Sequence, residues 1–106
     1  MTAALTIFFM LMFWHALADF PLQGDYLANN KVNNAWLLTM HCLIHAGGVF
    51  VITNSLVLAL VELISHAAID TLKCRGKISF FLDQALHVVF KIWFVAALVY
   101  TPELLR

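Results

Sequence analysis

Four long apolar runs, separated by short polar segments, dominate this sequence and leave few folds open to it. The runs cover residues 2–19, 35–52, 56–72 and 80–100. A helix that crosses a bilayer needs about 20 mainly apolar residues, within a range of about 17–25, and each run falls in that range. Pro21 and Pro102 follow the first and last runs, and a polar turn at 53–55 separates the middle two. The pattern predicts four membrane-spanning helices in a single transmembrane domain, residues 1–106.

The composition favours lipid over water as the surroundings of these helices. Apolar residues make up 63% and charged residues 11% of the chain, whereas soluble domains have about 45–50% and about 25%. A chain of this length cannot bury so much apolar surface in a water-soluble core. The alternative is a soluble subunit that a large complex covers. Net charge is zero and no basic face with interleaved aromatic residues is visible, so membrane lipid, and not nucleic acid, is the expected partner.

The basic residues outside the apolar runs lie mostly on one side of the predicted bundle. Those that follow the first or third helix are Lys31, Lys73, Arg75 and Lys77, whereas Arg106 falls on the opposite side. Because short cytoplasmic loops are enriched in Lys and Arg, the first side should be cytoplasmic and both termini non-cytoplasmic. The expected fold is an all-α, integral membrane four-helix bundle with up-down-up-down topology.

Each predicted helix carries one pair of ionisable residues spaced four apart, and residues at that spacing share a helix face. The members of these pairs are His15, Asp19, His41, His45, His66, Asp70, Asp83 and His87. An up-down-up-down bundle brings all four pairs to the predicted cytoplasmic end. The sequence therefore predicts one shared site inside that end of the bundle.

The residue types in these pairs indicate a metal site. Imidazole and carboxylate groups bind zinc, iron or manganese, and helical bundles commonly hold two metal ions between facing helices. We expect one or two divalent ions, with zinc as the first choice. Taken singly, each histidine could instead be a hydrogen-bonded helix contact, and Asp83 could interact with a helix dipole. A proton relay or a haem with histidine ligands is the alternative for the whole set.

A second polar layer lies one helical turn further from the predicted cytoplasmic end. Glu62 precedes His66 by four residues, and Lys91 follows His87 by four. Since unpaired charges inside a membrane bundle are costly, we expect Glu62 and Lys91 to form a buried ion pair. The alternative is that Glu62 serves as an extra ligand or a general base.

The pairs also suggest an internal repeat. The sequence His-Ala-Leu-Ala-Asp at 15–19 matches His-Ala-Ala-Ile-Asp at 66–70, and the pair at 41–45 occupies the place of the pair at 83–87. The chain is therefore interpreted as two related helical hairpins, the first with the longer connection. The first and third helices run in the same direction, so the repeat is of the parallel kind.

Three spaced motifs carry a family resemblance. They are His15-x3-Asp19-Phe20-x2-Gln23, His66-x3-Asp70-x2-Lys73 and Asp83-Gln84-x2-His87. Over nearly its whole length the chain resembles the domain-of-unknown-function family 3307, small membrane proteins of bacteria and their phages. The resemblance implies a compact multi-pass protein of the bacterial inner membrane and no established activity. By its His and Asp pattern alone, the chain is also similar to predicted membrane-bound metal-dependent hydrolases.

The leading functional hypothesis is a metal-dependent hydrolase that acts on a phosphoester or ester of a lipid or amphipathic substrate at the cytoplasmic face. Two metal ions can activate water and bind the reacting oxygen, and basic loop residues can attract an anionic headgroup. The candidate substrate-binding residues are Gln23, Asp25, Lys31, Lys73, Arg75, Lys77 and Gln84. The basic residues among them could also serve topology alone.

Two other functions remain open at this point. A metal transporter or sensor would use the same ligands, but the other halves of the helices are almost entirely apolar, so a pore would need a homo-oligomer. A structural or regulatory phage-type membrane protein would use the metal to stabilise a small helical bundle. Four protein ligands would favour this structural role, whereas an open coordination position would favour an enzyme.

Overall fold

The computed structural model describes residues 2–105, and every regular element in that range is helical. The elements are α1 (Thr2–Asp19), α2 (Gly24–Asn30), a 3-10 turn (Lys31–Asn33), α3 (Ala35–Thr53), α4 (Leu56–Cys74), α5 (Phe80–Tyr100) and α6 (Pro102–Leu105). The four predicted helices are present, and the all-α prediction is confirmed. α3 and α4 extend slightly beyond the predicted ends at 52 and 72. Arg106, which entered the orientation argument, lies outside the described residues.

Local sequence explains where the long helices begin and end. The Asn34 side chain accepts hydrogen bonds from two backbone N–H groups at the start of α3, and Ser55 and Ser79 each accept one at the starts of α4 and α5. Such side-chain caps satisfy donors that have no partner within the helix. Asn54 adopts a left-handed conformation with φ of 55°, so α3 and α4 separate at the predicted polar turn.

The connection after α1 is more ordered than the sequence indicates. It forms α2 and the 3-10 turn, and together these lie at 85° to α1. Gly24 has a φ of +68° at the bend, a conformation that glycine adopts without steric cost. α2 is seven residues long and buries none of them, so no apolar periodicity marks it in the sequence.

Within the described residues, two helices, α3 and α5, are long and apolar enough to cross a membrane. α1 together with the bent segment after it forms a third candidate, either as a broken span or as a re-entrant loop. α4 is less apolar overall because it contains Glu62, Asp70 and Lys73. The helical architecture therefore fits membrane insertion, while four complete spans stay a prediction.

The long helices form a bundle in which α1 and α4 each pack against α3 and α5. One half of its interior is apolar and is filled by Leu11, Val49, Leu58, Phe94, Leu98 and Leu105. The other half contains the ionisable residues. Many large apolar side chains point outward, including Phe9, Val51 and Phe81, which are 68%, 82% and 83% exposed. This outer surface is suited to lipid.

Candidate metal centre

All the residues of the four predicted ligand pairs lie inside the polar half of the bundle. The most exposed of them, Asp19, is 8% exposed. The last turns of α1 and α4 face the first halves of α3 and α5, and the spacing of four turns both members of each pair inward. The helix order thus brings together residues that are far apart in the sequence.

Three histidines approach the same oxygen of Asp19. The Nε2 atoms of His45, His41 and His66 lie 3.0, 3.4 and 3.6 Å from Asp19 Oδ1. The Nε2 atoms of His41 and His66 are 3.2 Å apart. Asp19, His41, His45 and His66, which we call the tetrad, each offer one ligand atom within 4.8 Å of the others.

The spacing within the tetrad suits a tetrahedral ion. Zinc binds nitrogen and oxygen at about 2.0–2.2 Å, so neighbouring tetrahedral ligands lie about 3.4 Å apart. The four separations above range from 3.0 to 3.6 Å. Four buried groups at this spacing could hold a metal ion.

Two further groups with metal-ligand spacing adjoin the tetrad. One consists of Asp19, Asp83 and His87, and the other of His15, His66 and His87. His15 Nε2 lies 3.4 Å from Asp19 Oδ2, and His87 Nε2 lies 3.4 Å from Asp83 Oδ1. The rings of His66 and His87 are stacked with centroids 4.3 Å apart. The candidate ligands therefore form one continuous cluster.

Gln84 lies within this cluster. Its amide nitrogen donates to Asp19 Oδ2 at 2.9 Å and to Asp83 Oδ2 at 3.0 Å, and its oxygen is 3.1 Å from His15 Nε2. From the sequence, Gln84 is a candidate substrate-binding residue. In the structure its side chain links three candidate metal ligands, and a role towards substrate stays a prediction.

The predicted ion pair beneath the site is present. Lys91 Nζ lies 2.7 Å from Glu62 Oε2, and both residues are 1% exposed. Glu62 Oε1 is 3.3 Å from His66 Nδ1 and 3.9 Å from His45 Nδ1. Metal-binding histidines usually present their second nitrogen to a carboxylate, and Glu62 lies on that side of both rings, although its Oε1 atom and His66 Nδ1 form no hydrogen bond in this structure. Glu62 thus lies behind two members of the tetrad.

Asp70 has different neighbours from the other predicted ligands. Lys31 Nζ lies 2.6 Å from its Oδ2 and Lys73 Nζ lies 3.3 Å from its Oδ1. Asp70 belongs to none of the metal-type groups found among residues 2–105, although His41 Nε2 is 3.6 Å away. The structure therefore groups seven of the eight predicted ligands and gives Asp70 two lysine partners.

The segment after α1 covers the loop end of the cluster. Lys31 is 1% exposed and also donates to the Gln23 side chain, which in turn donates to the Asp19 carbonyl oxygen at 2.8 Å. Lys31 is therefore a buried link and not a surface group, a role that its position in the sequence does not indicate. Three other predicted substrate-binding residues are exposed: Asp25, Arg75 and Lys77.

The charges of the cluster are incompletely balanced. Glu62 is paired with Lys91, and Asp70 is paired with Lys31 and Lys73. Within residues 2–105, the ion-pair contacts of Asp19 and Asp83 are with histidines alone. Buried carboxylates need a compensating cation, so this part of the site is electrostatically suited to a metal ion.

The comparisons with known proteins bear on the family and not on an activity. A family model described as "Protein of unknown function (DUF3307)" matches residues 7–105, a stretch that contains every residue of the cluster. Neither the curated proteins nor the solved structures gave a match.

Proposed function

The chain belongs to the DUF3307 family, and we propose that it is a membrane-embedded metalloprotein that hydrolyses an ester or phosphoester of a lipid or amphipathic substrate. The convergence of three histidine Nε2 atoms on Asp19 Oδ1, at 3.0–3.6 Å, is the observation that carries the metal site. The position of the Glu62 carboxylate on the Nδ1 side of His45 and His66 supports it, because a carboxylate on that side favours Nε2 as the metal-binding nitrogen.

The position of the cluster supports hydrolysis. It lies at the end of the bundle where α1 and α4 finish and α5 begins, below the exposed Arg75 and Lys77. With four spanning helices, this end would lie at the level of the lipid headgroups on the cytoplasmic face, and both termini would be on the other side. A divalent ion held there by the tetrad would supply an activated water and would stabilise negative charge on a substrate oxygen.

The apolar half of the bundle disfavours transport by a single chain. Its core is formed by the side chains of Leu11, Leu58 and Phe94, each 0% exposed, with their apolar neighbours. Beyond the Glu62–Lys91 pair, an ion leaving the cluster along the bundle axis would enter this mainly apolar region, which is energetically costly. A homo-oligomer would be needed to provide another path.

A structural metal is the second candidate function. The tetrad already supplies four protein ligands, the number found in closed structural zinc sites, and its histidines are at most 1% exposed. Such a site would stabilise a short bundle without performing chemistry. A hydrolase would convert a substrate when metal is bound, whereas a protein with a structural metal site would not.

The decisive experiment combines metal analysis with a hydrolysis assay. Elemental analysis of protein purified gently in detergent should find a transition metal in the wild type and in Asp25→Asn, but much less in Asp19→Asn. Asp25 is exposed on α2, so it is a control for the same chemical change. The metal-loaded protein in lipid nanodiscs should then hydrolyse a fluorogenic phosphoester or ester lipid. Metal without turnover would leave the structural role, and absence of metal would reject both functions.

A further inference from the structure

We propose that the site holds two metal ions that share the carboxylate of Asp19. This inference rests on the metal site proposed above and specifies its nuclearity and ligands. The tetrad would hold the first ion. The second would be held by Asp19, Asp83 and His87, with His15 beside them.

The two oxygens of Asp19 face different sets of ligands. Oδ1 is approached by the three histidines of the tetrad. Oδ2 lies 3.4 Å from His15 Nε2 and 2.9 Å from the Gln84 amide nitrogen. A carboxylate can bind one ion with each oxygen, so this division is what a bridging ligand requires.

The second set includes a buried carboxylate that lacks a full set of partners. Asp83 is 1% exposed, and its Oδ1 accepts no hydrogen bond from the described residues. The nearest cationic candidate is His87, whose Nε2 lies 3.4 Å away. Buried carboxylate oxygens are rarely left without a donor or a cation. This oxygen is therefore available for a metal ion.

Gln84 brings the two carboxylates of the second set together. Its amide group donates to Asp19 Oδ2 and to Asp83 Oδ2 at 2.9 and 3.0 Å. Two buried carboxylates at one amide group repel each other unless a cation or proton accompanies them. A divalent ion bound by Asp19, Asp83 and His87 would remove this repulsion.

Chemistry favours Asp19 over a histidine as the shared ligand. His66 belongs both to the tetrad and to the group of His15, His66 and His87. However, its Nε2 faces Asp19 Oδ1, while its Nδ1 lies 3.3 Å from Glu62 Oε1. One imidazole nitrogen binds one ion, so His66 serves a single position, whereas Asp19 can serve two.

The charge of such a centre selects an anionic substrate. Two divalent ions bring four positive charges, and Asp19 and Asp83 supply two negative charges. A bridging hydroxide would still leave the centre positive. We therefore assign a phosphoester, rather than a neutral ester, as the substrate class, in agreement with the use of two-metal centres for phosphoryl oxygens.

Metal stoichiometry and electron paramagnetic resonance with Mn²⁺ as the probe test the inference. The detergent-purified wild type should bind about two Mn²⁺ per chain and give the spectrum of an exchange-coupled pair, as expected for carboxylate-bridged ions. Asp83→Asn and His87→Ala should each retain about one ion with a mononuclear spectrum. Asp25→Asn should bind as many ions as the wild type and give the same spectrum, because Asp25 is exposed and belongs to none of the groups with metal-ligand spacing among residues 2–105.

The outcomes separate this inference from the proposed function. A wild type that binds about one ion, with no exchange coupling and no loss in Asp83→Asn, would overturn the shared site but retain the metalloprotein. A wild type that binds no metal would overturn both. The number of ions bound by the wild type and its spectrum are sufficient to test the shared site. A variant that fails to fold therefore does not change the conclusion.

Discussion

Lys31 and Asp70 form a buried ion pair, with 2.6 Å between Nζ and Oδ2, that joins the segment after α1 to the last turns of α4. Both residues are at most 2% exposed. Lys73 also contacts Asp70, but it is partly exposed and lies 3.3 Å away. The position of this segment over the cluster of candidate ligands therefore depends chiefly on Lys31.

Replacement of Lys31 by Met should loosen this segment and destabilise the protein. Removing one member of a buried pair costs about 3–5 kcal/mol, and we expect the lower end because Lys73 still compensates Asp70. Thermal unfolding in detergent and limited proteolysis of residues 20–34 measure the two effects. Lys77→Met removes an exposed lysine near the same end and is the matched control. Equal melting temperatures and equal cleavage of the two variants would show that Lys31 does not hold this segment in place.

The Glu62–Lys91 pair predicts a non-additive pair of substitutions. Lys91→Met alone leaves the Glu62 carboxylate buried without its cation, at a cost of about 3–5 kcal/mol. The double variant Lys91→Met/Glu62→Gln removes both charges and should recover part of that loss. Thermal unfolding of the wild type, both single variants and the double variant gives the coupling energy directly. A double variant that loses the sum of the two single losses would show that the two charges do not interact.

The sequence was sufficient to predict much of this site because the signals are local. Four apolar runs fix four long helices, and the spacing of four places each ionisable pair on one face. The Glu62–Lys91 pair followed from the same spacing, extended by one turn. Each inference needed only the helical period and the antiparallel order of neighbouring helices.

The partners of Asp70 could not be predicted from the helical spacing. The repeat equates Asp70 with Asp19, yet Asp19 contacts four histidines, whereas the two nearest partners of Asp70 are lysines. The longer connection of the first hairpin folds back and places Lys31 beside Asp70, with no counterpart in the second hairpin. α2 has no buried face. Its position depends on tertiary contacts, which the spacing of apolar residues in the sequence does not predict.

The two adjacent glycines of α3 should respond oppositely to alanine. A Cβ atom at Gly48 would overlap the Trp14 indole, whereas nothing lies within 4 Å of one at Gly47. The Trp14 N–H donates to the Ile44 carbonyl oxygen at 2.9 Å, so the ring cannot move away freely. Gly48→Ala should cost about 1–3 kcal/mol through overpacking, and Gly47→Ala should be neutral or stabilise α3 by up to about 1 kcal/mol. Thermal unfolding and tryptophan fluorescence compare them, and similar losses in both variants would contradict close packing of α1 on α3.

Added metal should raise the melting temperature of the apo protein through the tetrad. A ligand that binds only the folded state contributes about 2.7 kcal/mol at a concentration 100 times its dissociation constant. Asp19→Asn should abolish most of this gain, because Asp19 Oδ1 is the point on which His41, His45 and His66 converge. Asp25→Asn should keep the full gain, since Asp25 is exposed on α2 and belongs to none of the groups with metal-ligand spacing among the described residues. Melting curves of chelator-treated protein with increasing zinc measure the effect, with magnesium as a control for ionic strength. A rise of equal size in all three proteins would mean that the metal binds elsewhere and that the tetrad is a hydrogen-bonded cluster.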